Sequence, residues 1–148
     1  MGDFTKRNLC NFYGEMYQHN SMNTILISAI NTFTIIDGFV TGSNRGFTFQ
    51  NNQELVCTKA GRYKVDWAIC YEDGNNVDWD VSVFINSTEQ QNTTMCGTTI
   101  STRDINISNS GIIDVARDDI ITLRIANLTS TTDPIIMFCN VNLVRIDK

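Results

Sequence analysis

The sequence predicts an all-β protein, a two-sheet antiparallel sandwich, and three observations point there. The first is composition: 18 Ile and 9 Val stand against 6 Leu and 5 Ala. Branching at Cβ costs rotamers in a helix and suits a pleated surface. The second is strict alternation, with Tyr63, Val65, Trp67, Ile69 and Tyr71 separated by Lys64, Asp66, Ala68 and Cys70. Successive strand side chains point to opposite faces, so this is a strand with one large apolar face. The third is punctuation: short apolar runs recur between turns rich in Asn, Gly, Ser and Asp, and no stretch keeps a helical period.

The elements follow in order. Before residue 60 the signals are weaker, but 13–17, 24–30, 32–40 and 46–56 read as strands. Gly61 opens the alternating strand and Asp73-Gly74-Asn75-Asn76 closes it as a turn. Trp79, Val81, Val83 and Ile85 then alternate with Asp78, Asp80 and Ser82, broken only by Phe84. The two strands form a hairpin or a connection from one sheet to the other. Residues 104–108 and 111–115 read as two short strands, and Ala116-Arg117-Asp118-Asp119 as a turn. Ile121, Leu123 and Ile125 form the next face, and Thr129 to Pro134 is a polar loop.

The last strand, 135–146, is apolar on both faces. Ile135, Met137, Cys139, Val141 and Leu143 lie on one, Ile136, Phe138, Val144 and Ile146 on the other. A strand apolar on both sides packs against its own core and against something else. Ala68 and Cys70 similarly soften the second face of the central strand. These six residues, Ala68, Cys70, Ile136, Phe138, Val144 and Ile146, are the expected contact with other subunits.

At 148 residues the chain is the size of one domain and needs no metal or disulfide to hold a core. Residues 1–16 are expected to form an anchoring segment and residues 17–148 the sandwich. A net charge of −5 with no basic cluster beyond Lys6-Arg7 argues against nucleic acid. Apolar runs reach only about five residues, far short of a membrane span. No secretory signal is visible, so five scattered cysteines read as free thiols in a reducing compartment. The four Asn-x-Ser/Thr sites at Asn86, Asn92, Asn106 and Asn127 then stay bare.

Catalytic chemistry finds little purchase. His19 is the single histidine, in a polar stretch without a companion base. Asp78 and Asp80 share a strand face expected to meet solvent rather than to work as an acid pair. Trp67 and Trp79 point inward by alternation, which makes them core rather than sugar platforms. No cofactor is expected. Calcium is the better metal candidate, through Glu72-Asp73-Gly74-Asn75-Asn76 or Asp118-Asp119, although neither has EF-hand spacing.

From about residue 46 onward the order of features resembles the complement globular-head and tumour-necrosis-factor-like jelly roll. Phe47-Thr48-Phe49 followed by Gly61-Arg62-Tyr63 is similar to that family's entry into a central strand. Val83-Phe84-Ile85-Asn86-Ser87 resembles its strand ending in an Asn-centred turn. Ser110-Gly111 to Leu123 resembles its "Ser-Gly … Gly-Asp-x-apolar-x-Leu" stretch, except that Asp118 stands where the family has Gly. The last strand also lacks the usual Phe-x-Gly. Phe12-Tyr13-Gly14-Glu15-Met16-Tyr17 is similar to the way phage structural proteins enter this fold.

The resemblance implies a homotrimeric TNF-like jelly roll that binds and assembles rather than catalyses. It implies a bacteriophage virion surface component, a capsid decoration, head fibre or fibre tip made in the host cytoplasm. Its partners would be other virion structural proteins and host surface glycans, with Lys6 and Arg7 as the anchor. The alternative is a secreted ligand or lectin-like module of the same fold. Non-reducing mass spectrometry of fresh protein is expected to find five free thiols, with a melting temperature that reductant barely changes. A drop of many degrees on reduction would show that the cysteines cross-link the fold.

Overall fold

The computed structural model describes residues 11–73, 76–101 and 103–147. The strands are β1 (Tyr13–Thr24), β2 (Thr34–Ile35), β3 (Val40–Thr41), β4 (Phe47–Gln50), β5 (Glu54–Cys57) and β6 (Gly61–Glu72). β7 (Val77–Ile85), β8 (Thr88–Glu89), β9 (Met95–Thr99), β10 (Ile105–Val115), β11 (Ile120–Asn127) and β12 (Ile135–Arg145) complete them. One sheet runs β10-β6-β12-β1-β3. The other runs β4-β5-β11-β7-β8, with β2 beside β11 and β9 beside β7. Pairing is antiparallel throughout, and the two sheets face each other across one core.

β6 lies between β10 and β12, and its alternation becomes burial. Tyr63, Val65, Trp67, Ile69 and Tyr71 are buried, while Arg62, Lys64 and Ala68 are exposed. Met16, Val141 and Leu143 extend this inward face, and Leu55, Val81, Val83, Ile121, Leu123 and Ile125 meet it from the second sheet. The connection from β6 to β7 crosses from one sheet to the other, as the second of the two sequence readings has it.

Aromatic edges stitch the layers at both ends. Tyr71 on β6 meets Trp79 on β7 edge-on at 5.8 Å, and Tyr63 meets Phe47 on β4 at 5.0 Å. Between them the Trp67 indole N–H donates to the Thr93 carbonyl at 2.8 Å. Thr93 ends a 3₁₀ turn over Gln91–Thr93, and its hydroxyl accepts the Val83 amide at 3.0 Å. Trp67 therefore ties the first sheet to the segment that leads from β8 to β9.

Several elements differ from the sequence reading. Residues 105–115 are one continuous strand, because β10 pairs with β6 from Ile105↔Tyr71 to Val115↔Gly61 without a break. Ser110-Gly111 looks like a break in sequence, yet the partner strand supplies its hydrogen bonds. Residues 24–30 and 32–40 yield only the end of β1, β2 and the start of β3. Their amides are met by other groups: Ile25 N–H by the Pro134 carbonyl, and Ile27 N–H by Asp133 Oδ1 at 2.7 Å. β1 starts at Tyr13 and buries Met16 completely. Residues 13–16 thus belong to the sandwich, and the boundary expected at 16 moves toward the start. Residues 1–10, with Lys6 and Arg7, lie outside the described residues.

The face assignment on β12 also needs one correction. The pairing shifts between Ile136↔Tyr71 and Phe138↔Cys70, so Met137 is an extra residue, a β-bulge. The bulge turns Ile136 inward, where it is fully buried, while Phe138 stays outward. Ile136 is core, not contact surface.

Trp67→Ala is expected to cost about 3–5 kcal/mol, since it empties the middle of the core and orphans the Thr93 carbonyl. Equilibrium denaturation checks this, and an unchanged stability would mean that the ring packs on nothing. Asp80 on β7 is half-buried rather than a plain surface carboxylate. Burial first, and Glu89 second, push its pKa up. A carboxyl pKa raised by folding weakens stability as pH climbs through it, and the loss is absent below the unfolded value. Asp80→Asn is therefore expected to raise the melting temperature at neutral pH. That gain should shrink by about pH 3, where the unfolded carboxyl is also protonated. Calorimetry at the two pH values checks the sign.

Candidate functional site

The outer face of the β10-β6-β12-β1 sheet is the candidate site. Antiparallel pairing sets its outward residues level with one another in four rows. At one end His19, Phe138, Cys70 and Asn106 form a row, followed by Tyr17, Asn140, Ala68 and Ser108. Next come Glu15, Asn142, Asp66 and Ser110, and last Tyr13, Val144, Lys64 and Ile112. Each row draws on four strands far apart in sequence.

The face carries large apolar groups in water. Tyr17 is 37% exposed, Phe138 42%, Val144 46%, Ile146 49% and Ile112 55%. Ala68 is exposed and Cys70 partly so, which keeps the centre of the face low beside the rings. His19 meets Phe138 edge-on at 5.2 Å. Tyr17, His19, Ala68, Cys70 and Phe138 surround a shallow hollow of about 480 Å³. Of the six expected contact residues, Ala68, Cys70, Phe138, Val144 and Ile146 keep an exposed or partly exposed side chain, and Ile136 does not.

Tyr13, Tyr17 and Ile112 share this surface, although the sequence reading passes them over. Tyr13 and Tyr17 stand two pleats apart on β1, a weak signal. Ile112 joins them only through β10 pairing. The chemistry of the face is burial and hydrogen bonding. The Cys70 thiol is pushed up by burial and then by the negative charges of Asp104 and Glu72, so it stays protonated. Cys57, Cys70, Cys96 and Cys139 are free thiols, and Cys10 lies outside the described residues.

The other candidates are engaged locally. Asp119 accepts the Asn86 amide at 3.0 Å through one oxygen and the Ala116 N–H at 2.8 Å through the other. That pair closes the turn expected at 116–119. Among the described residues no three His, Cys, Asp or Glu side chains converge as a metal site. Gly74 and Asn75 of the other calcium candidate lie outside the described residues. Trp67 and Trp79 are buried, so neither offers a ring to a sugar. Asn127 is buried and bonds the Thr129 and Ser130 amides, which closes that sequon to modification.

A second cluster lies where the chain enters the sandwich. Arg145, Lys59 and Arg45 stand 5.6, 5.8 and 5.9 Å from the centre of the Phe12 ring. Arg145 also pairs with Asp147 at 2.7 Å. Residues 12, 45, 59 and 145 carry no common motif, so only the fold assembles them. At the opposite end β6 stops and β10 and β12 start, and there Asp104 and Glu72 both act on the Cys70 thiol.

No family model matches the chain, and no curated protein matches its sequence. Solved structures match its shape. Eiger TNF from S. frugiperda superposes with a TM-score of 0.63 at 13% identity, over 93% of this chain and 94% of that one. The PRD1 vertex protein gives 0.61 at 16% identity, over 92% and 97%. The globular domain of the zebrafish complement 1qA protein gives 0.60 at 10% identity, over 93% and 98%. Identities this low speak for the fold alone, and the match extends over more than nine tenths of the chain. The chain has the jelly roll of tumour-necrosis-factor ligands and complement heads, the fold that its sequence resembles.

Proposed function

We propose that the chain is a trimeric structural component of a virion surface. The observation that carries the reading is the outer face of the β10-β6-β12-β1 sheet. It leaves Tyr17, Phe138, Val144, Ile112 and Ile146 wet in a single chain, and a second and third copy would cover them. The likeness to the PRD1 vertex protein supports the virion, and the trimer that the TNF-like resemblance implies supports the stoichiometry.

In this reading the two ends of the sandwich have different tasks. The end at which residue 11 enters gathers Arg45, Lys59 and Arg145 about Phe12. It faces the capsid or fibre together with the Lys6-Arg7 segment. Cations there suit an acidic seat. The opposite end, with its Asn-, Thr- and Asp-rich loops, faces outward and meets solvent or host glycans. A secreted ligand of the same fold is the second reading, favoured by the likeness to Eiger TNF and murine APRIL.

Light scattering at micromolar concentration is expected to give three times the 16.7 kDa mass of the chain. A monomer would overturn the trimer. A chain that begins at Asn11 should still fold and trimerise but no longer bind particles. Equal binding by the shortened and full chains would remove the anchor from residues 1–10, and no particle binding by either would favour the secreted ligand.

A further inference from the structure

The outer face is not apolar throughout. Along β12 it reads Phe138, Asn140, Asn142, Val144, so two amides stand between two apolar ends. Asn142 is level with Asp66, and Asn140 with Ala68. With Ser108 and Ser110 on β10 these residues line a second hollow of about 540 Å³. Both amides are already half-buried in one chain.

Asn142 Nδ2 donates to Asn140 Oδ1. That bond leaves a complementary pair of unused groups two residues apart. Among the described residues nothing donates to Asn142 Oδ1, and nothing accepts from the Asn140 amide. Exposed, both are satisfied by water. Covered by an apolar side chain, each loses its hydrogen bonds with no replacement.

We infer that Asn140 and Asn142 set the register and copy number of self-association, and that what reads them is the same pair on another copy of this chain. The inference rests on the proposed trimer and adds its specificity determinant. Apolar ends attract without discriminating, since Phe138 or Val144 can slide along any greasy neighbour. A polar band admits only registers in which bands meet. The same surface carries both the spare donor and the spare acceptor. It also places Lys64 beside Asp66, one charge of each sign, 3.8 Å apart and solvent-exposed. A second copy therefore matches it in hydrogen bonding and in charge. Buried asparagine plays this part in coiled coils, where it lowers stability and fixes the oligomer.

Native mass spectrometry and melting curves of full-length variants test the inference. Wild type should give one species of three chains. Asn142→Val and the Asn140→Leu/Asn142→Val pair should melt at or above the wild-type temperature but spread over several copy numbers. Asn142→Asp should fall to single chains at neutral pH, where like charges meet, and regain three chains at about pH 4 as the carboxyls protonate. Circular dichroism confirms that each variant is folded. Phe138→Asn separates the two ideas, because it attacks the apolar face and spares the band. If Phe138→Asn dissociates the trimer while the asparagine variants remain uniformly three-chained at every pH, the band has no say and the inference falls alone. If wild type is a monomer, or Phe138→Asn changes nothing, the inference falls together with the assembly face.

Discussion

Everything else in this molecule is arranged around one strand buried on one side and wet on the other. β6 has neighbours on both edges, so its backbone groups are satisfied and only its side chains remain to be placed. Five large ones, Tyr63 to Tyr71 by alternate residues, must leave water on the same face. Val65 and Ile69 alone are worth about 1.5–3 kcal/mol each when fully buried. No single sheet can supply that burial, so a second sheet is obligatory. The edge-on contacts of Tyr63 with Phe47 and of Tyr71 with Trp79 set where its strands lie. The Trp67 bond to Thr93 fixes the segment between β8 and β9 over the same core.

The same alternation produces the outer face. Residues that are excluded from the core by parity must point away from it, and β10, β12 and β1 inherit the parity of β6 through their hydrogen bonds. The surface is therefore a by-product of core burial, and what distinguishes it is its residues. A purely structural outer face would be charged or polar. Here Phe138, Tyr17, Val144 and Ile112 occupy it, with an amide band between them. In the proposed reading, assembly is the physical use for such a face. The cationic cluster about Phe12 then marks one end of the sandwich along its strands.

Two local devices show how residue chemistry tunes this frame. The bulge at Met137 changes the parity of β12 partway along, so that Ile136 and Cys139 both face inward. Without it, Phe138 and Cys139 would exchange faces relative to Ile136 and an aromatic ring would leave the outer surface. At Asp118 the backbone takes φ 70°, the left-handed region in which the resembling family carries Gly. Aspartate is among the few other residues that tolerate it. The departure in sequence thus preserves the turn that joins β10 to β11, and the Asp119 carboxylate closes that turn by accepting the Ala116 amide.

Much of this was legible beforehand, for a local reason. Side-chain parity along a strand is covalent geometry, so the inward faces of β6, β7 and β11, the buried tryptophans and the sandwich itself could be read residue by residue. The same sequence suggested a break at Ser110-Gly111 and strands over 24–40, because turn residues and apolar runs carry no information about a partner. Register did not appear in it. Whether Asn142 lies beside Asp66, whether Phe12 collects three cations and whether Ile136 turns inward depend on hydrogen bonds between segments distant in the chain. A single shifted residue reverses every face beyond it. The sequence by itself determined what must be buried. Tertiary pairing decided which of the remaining residues stand together, because only the partner strand sets the register.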